Sequence, residues 1–134
     1  MFWEEIPHTA DLSLRVWGDD LRDLFENAAR GMLELMGGPP AENLPLTERS
    51  YSLCAPDWET LLVDWLTELL YLAEDDEVLA SSVDVIKADD LCLQARVTGW
   101  IGGRFDKLIK AVTFHDLAIV STGRGYEVVI VFDV

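Results

Sequence analysis

The chain has 134 residues, half of them hydrophobic, which suits one domain with a sizeable core and excludes a disordered polymer. Its 25 acidic and 10 basic residues leave a formal charge of −15. The cations are scattered singly, so direct, unaided binding to RNA or DNA, which needs a cationic footprint on phosphates, is not expected. No apolar run is long enough for a membrane helix, and Met1-Phe2-Trp3-Glu4-Glu5 is acidic where a secretory signal is basic, so a cytoplasmic protein is expected.

Leu12, Leu14 and Val16 alternate with polar or exposed-type neighbours, which reads as a strand ending at Gly18. Asp19 and Asp20 offer an N-cap, and Leu21, Leu24, Phe25, Ala28, Met32, Leu35 and Met36 share one helical face. Gly37-Gly38-Pro39-Pro40 ends that helix. Tyr51 to Cys54 reads as a short strand. Pro56-Asp57 then opens a second helix, with Leu61, Leu62, Trp65, Leu66, Leu69 and Leu70 inward and Glu59, Asp64 and Glu68 outward. From residue 78 the pattern is strand-like. An Asp89-Asp90 turn separates Val83, Val85 and Ile86 from the alternating Leu91, Leu93, Ala95 and Val97. Gly99 to Gly103 reads as a loop, and Ile109 to Phe114 with Leu117 to Val120 as a further strand region. Ser121-Thr122-Gly123-Arg124-Gly125 turns into the last strand. The whole is an α+β domain, with two helices set against a mostly antiparallel sheet.

The final run, Tyr126 to Val134, favours a strand buried on both faces, with Asp133 embedded in it. A docked tail sets the Asp133 carboxylate and the terminal carboxylate of Val134 side by side beneath the surface, where they need a cation. A frayed tail leaves both in water. Asp11, just before the first strand, is a further oxygen donor. His8 is three positions from Asp11 and faces the other side of a regular strand, unless Pro7 or a bulge bends the chain. Hard oxygen donors favour calcium, or magnesium or another divalent cation, over zinc. His115-Asp116 has the form of an oriented base, although a hydrogen-bonded core histidine also accounts for it. Cys54 and Cys92 lack paired zinc-ligand spacing and are expected to be two buried, inert thiols. There is no GxSxG elbow and no glycine-rich phosphate loop leading into a helix.

At these residues the chain resembles the archease family along its full length. His8-Thr9-Ala10-Asp11, with Gly18 seven residues on, resembles the family's opening HTAD signature. The stretch Leu61-Leu62-Val63-Asp64-Trp65-Leu66-Thr67-Glu68-Leu69-Leu70 is similar to its second helix, with Thr67 where asparagine is usual. Lys110-Ala111-Val112-Thr113-Phe114-His115 is similar to KAVTYH, and Phe132-Asp133-Val134 to the terminal motif. The resemblance implies a small α+β fold and a non-enzymatic role: an activating partner of the GTP-dependent RNA ligase that joins tRNA halves and broken RNAs. That role is to promote guanylylation of the ligase's active-site histidine and repeated turnover. It also implies that Asp11, Asp133 and Val134 are calcium ligands and Lys110 a further functional position. His8 and His115 lie in motifs without an assigned role. The loop 99–106 departs from the family in lacking a Gly-Glu pair and a histidine. Two rival readings belong to other classes. One is a divalent-metal-dependent hydrolase using Asp11, His115 and Asp133. The other is an acidic chaperone-like modulator of a tRNA methyltransferase.

Overall fold

The computed structural model describes residues 2–6, 11–38, 40 and 42–134. Ten elements follow in order: β1 (Trp3–Ile6), β2 (Leu12–Gly18), α1 (Leu21–Leu35), β3 (Leu46–Cys54), α2 (Trp58–Glu74), β4 (Val78–Asp89), β5 (Cys92–Ile101), β6 (Ala111–Val112), β7 (Val120–Thr122) and β8 (Gly125–Asp133). The α+β expectation holds, with every strand pairing antiparallel. The single expected sheet is in fact two. One runs β1-β2-β8-β6, with β7 also on β8; the other runs β3-β5-β4.

Both helices begin at aspartates, as the sequence indicates. Asp20 Oδ1 accepts from the Asp23 N–H at 2.8 Å, and Asp57 Oδ1 from the Thr60 N–H at 2.7 Å, satisfying first-turn donors that have no helical acceptor. The N–H of Gly37 bonds to the carbonyl of Glu34 at 3.1 Å, and Gly38 follows at φ 69°, a conformation open to glycine that ends α1. The Asp57 carboxyl is held below its ordinary pKa by the Thr60 backbone N–H, and then by the Thr60 side chain. A depressed carboxylate contributes stability above its unfolded pKa and loses it as pH falls through the folded one. The Thr60 amide should therefore lose hydrogen-exchange protection in acid, and Asp57→Ala should remove that pH dependence; an unchanged profile would contradict the capping role.

Each helix touches strands of both sheets, so the core lies where the sheets' inner faces close on α1 and α2. Leu24, Phe25, Ala28 and Met32 of α1 and Leu61, Leu62, Trp65 and Leu66 of α2 are fully buried there. The Trp65 indole N–H donates to the Phe25 carbonyl at 3.1 Å, and its ring meets Tyr51 edge-on at 5.9 Å. A buried tryptophan is thus both packed and satisfied. Gly31, inside α1, permits close approach: a Cβ there would stand 2.6 Å from Leu14 Cδ2 and 2.9 Å from Trp3 Cγ.

Four expectations are corrected. The short strand at residues 51–54 begins at Leu46. The loop expected at 99–103 is largely strand: β5 runs to Ile101, and Gly99 lies between Thr47 and Ala80 where a side chain would collide with Val78. The strand region expected at 109–120 shrinks to two short pieces flanking successive parts of β8. Between them, the Ile119 N–H bonds to Glu59 Oε2 at 2.9 Å rather than to a strand. Finally, Cys54 and Cys92 are not free buried thiols. They face each other across β3 and β5, Cα atoms 4.1 Å apart, and form a disulfide near the surface. The short separation fits a rung lacking mutual backbone hydrogen bonds, where side chains come closest. No helix among the described residues is long and apolar enough to cross a membrane.

Candidate functional site

The tail is a structural strand. β8 lies between β2 and the short pair β6 and β7, so its apolar residues alternate between two environments. Val128, Ile130 and Phe132 are buried against the helices, whereas Val129 and Val131 on the opposite face are only half-buried. The expected burial of both faces is corrected accordingly. Asp133 and Val134 are exposed, so the two carboxylates do not lie beneath the surface. Phe132 is the last inward residue, and β6 adds only two residues of cover.

The backbone of the tail is nevertheless held. The Lys110 N–H donates to the Asp133 carbonyl at 2.7 Å, and Ala111 is its rung partner. On the other side, Leu12 pairs with Phe132. Asp11, half-buried, immediately precedes Leu12 and so stands at the same end of the sheet as Asp133. The terminal carboxylate of Val134 follows directly. The start of β2 and the tail thus lie side by side at one end of the sheet, and the tail residues Asp133 and Val134 are exposed there.

In donor type these residues fit a hard divalent cation: two carboxylates and the chain terminus are all oxygen ligands. Among the described residues no three His, Cys, Asp or Glu side chains gather at a metal-sized site, so most of a coordination sphere would come from water or a partner. Lys110 is exposed just before β6, the strand that flanks Asp133. Leu108 and Phe114, on either side of β6, are exposed apolar residues that the sequence reading did not single out as surface. Their signal was present in the shortness of the apolar alternation around them.

His115 is displaced from this group. Thr113 lies opposite Val131, donating to its carbonyl at 3.0 Å, and the chain then turns away. His115 therefore stands beyond the level of Val131, roughly 7 Å or more along β8 from Asp133. Its ring is 69% exposed and its Nε2 lies 3.3 Å from Asp116 Oδ2, so it is not a core histidine. Asp11, His115 and Asp133 do not converge, and the geometry gives no support to a hydrolase built on them. His8 lies outside the described residues.

Residues 3–134 match the model of the Archease protein family (MTH1598/TM1083). The chain is 34% identical to a protein archease of Methanosarcina mazei, covering 98% of this chain and 95% of that protein. It is 32% identical to a protein archease of Archaeoglobus fulgidus, over the full length of both. Among solved structures, protein 1598 of Methanobacterium thermoautotrophicum aligns with a TM-score of 0.74 at 29% identity, covering 98% of each chain. A Thermotoga maritima protein described as an archease and possible chaperone shares the fold, with a TM-score of 0.69 at 22% identity and coverage of 98% and 96%. With a full-length family match and full-length relatives above 30% identity, this chain belongs to the archease family.

Proposed function

We propose that this protein is an archease-type cofactor that activates a GTP-dependent RNA ligase, promoting guanylylation of the ligase and its repeated turnover, without catalysing a reaction itself. The observation that supports the reading is the register Leu12↔Phe132, which sets the start of β2 and the tail at the same end of the sheet, next to Lys110. Exposed carboxylates at Asp133 and Val134, too few to fill a coordination sphere, are suited to work at an interface where a partner supplies further ligands. The −15 charge favours docking against a basic region of the partner and disfavours direct nucleic-acid binding by this chain alone.

Asp11, Asp133 and the Val134 carboxylate would hold calcium, or magnesium in its place. When bound, the ion would relieve repulsion among these anions and order the terminal residue. Asp11 fixes the β2 side of the group, Asp133 is positioned through its backbone by β6, and Lys110 supplies a cation beside them for a partner's anionic group.

The test uses the purified ligase, GTP and this chain, with labelled ligase–guanylate as the readout. The intact chain should raise guanylylation, and Asp133→Asn or Asp11→Asn should reduce that stimulation at least tenfold while leaving thermal unfolding nearly unchanged. Calorimetric calcium binding should fall in parallel. Lys110→Ala should lose stimulation but keep calcium. Full stimulation by both Asp variants would dismiss the metal group; no stimulation by the intact chain would dismiss the ligase role.

A further inference from the structure

Helix α1 guards the free edge of β4 over only part of its length. At Val85, Glu26 Oε1 accepts from the backbone N–H at 2.9 Å, and Arg22 Nη1 donates to the carbonyl at 2.8 Å. Acceptor and donor together do what an antiparallel neighbour strand would do. Because both polar groups of Val85 point away from β5, its rung with Ala95 is one without mutual hydrogen bonds. Alternation along the ladder makes Asp84–Arg96 the bonded rung and Val83–Val97 another unbonded one. Val83 therefore also turns its N–H and carbonyl outward. Among the described residues, no side chain or backbone group meets them as Arg22 and Glu26 meet Val85.

A cleft of about 440 Å³ opens where that cover stops. Leu33 and Leu79 line it, Trp3 and Trp100 wall it, and Arg30 and Glu34 stand at its rim. Trp3 is fixed by its indole N–H on Glu34 Oε2 at 2.8 Å. The Arg30 charge is drawn toward Glu26, at 3.3 Å. A β-bulge between Ala80 and Ser82 disrupts the strand edge beside the cleft.

We propose that this cleft docks an extended segment of a protein partner, with basic flanks, which adds to the β4 edge at Val83 and seats one apolar side chain between Trp3 and Trp100. Another extended backbone is the group that offers a carbonyl and an N–H at the spacing Val83 presents. The tryptophan walls supply the burial that anchors a large apolar side chain. The formal charge of −15 attracts the flanks and slows the approach of acidic segments. Trp3 pairs with Val16, five residues along β2 from Asp11, so this surface lies roughly 16 Å from the tail group and stands whichever enzyme the protein serves.

The probe is a pool of capped pentapeptides with lysine at both ends, valine at the second and fourth positions and leucine, isoleucine, phenylalanine, tryptophan or methionine at the centre. It is titrated into the full ¹⁵N-labelled chain to about 10 mM, a range that registers even weak association. The Trp3 and Trp100 indole signals should shift, and exchange of the Val83 amide should slow at least tenfold. Leu33→Lys, folded by its amide spectrum, should weaken binding at least tenfold. Absence of shifts in the cleft, or equal binding of a pool with glutamate ends, would overturn the proposal. So would Val83 protection that grows with protein concentration without peptide, which would make a second copy the occupant.

Discussion

Glu26→Ala is expected to destabilise the protein by about 3 kcal/mol, more than loss of any exposed ion pair. Glu26 is only 8% exposed although it is charged. Its Oε1 holds the Val85 N–H, and Arg22 and Arg30 lie within 3.4 Å and 3.3 Å of its two oxygens. Both arginines reach solvent, so each pair alone contributes little; the larger loss is the buried N–H left without an acceptor, about 1–3 kcal/mol. Burial works against the Arg22 charge, yet Glu26, Asp23 and Asp20 outweigh it and hold its pKa above the ordinary value. Arg22 thus stays a donor to the Val85 carbonyl across the physiological range. In thermal unfolding, Glu26→Ala should lower Tm by roughly 8–12 °C for a domain of this size. Glu26→Gln, which keeps an acceptor for Val85, should recover most of it. Arg30→Ala, at a half-exposed position, should cost less than about 1 kcal/mol. Equal losses in Glu26→Ala and Glu26→Gln would show that charge, not the strand-edge hydrogen bond, is what matters.

The same interlock shows what sequence could and could not disclose. Asp20, Asp57 and the apolar faces of α1 and α2 were legible because capping and a 3.6-residue period are local signals. The β4–β5 hairpin was legible for a similar reason, since it joins strands adjacent in the chain; its turn, expected at Asp89-Asp90, falls one residue later at Asp90-Leu91. Glu26 carries no local signal of its role, since nothing nearby in sequence reveals that Val85, 59 residues away, needs its oxygen. The division into two sheets was hidden likewise, because pairing of β2 with β8 joins opposite ends of the chain. The candidate site was partly visible. The run ending in Phe132-Asp133-Val134 left a docked and a frayed tail open; pairing with β2 and β6 docks it through Asp133, but the alternation that buries Phe132 leaves Asp133 exposed. A pattern of apolar residues on both faces cannot distinguish a half-covered face from a covered one.

Removing the Cys54–Cys92 disulfide should have an effect of similar size, and through a different state of the chain. The bond closes a loop of 38 residues that contains all of α2 and β4. Chain-entropy reasoning assigns such a loop about 4 kcal/mol, exerted mainly by restricting the unfolded ensemble. In the folded state the two positions are already opposed by the β3–β5 register, so Cys54→Ser with Cys92→Ser should preserve the fold. The doubly substituted chain should unfold roughly 11–16 °C lower, with little change in amide spectra away from the β3 end and the Asp90-Leu91 turn. The unsubstituted protein in excess dithiothreitol should match it. An additive comparison separates this term from the Glu26 interlock, which acts at Val85 on the opposite edge of the same sheet. Because β3 is an edge strand tied to the sheet centre by this bond, its amides should lose protection first on reduction, while those of β8 stay protected. Simultaneous loss in both sheets would mean that the disulfide supports the whole core and not the β3 edge. Disulfides are uncommon in reducing cytosol, so the redox state of the compartment decides which of these two stabilities the protein has in the cell. Thiol alkylation before lysis, read by intact mass, measures that state directly.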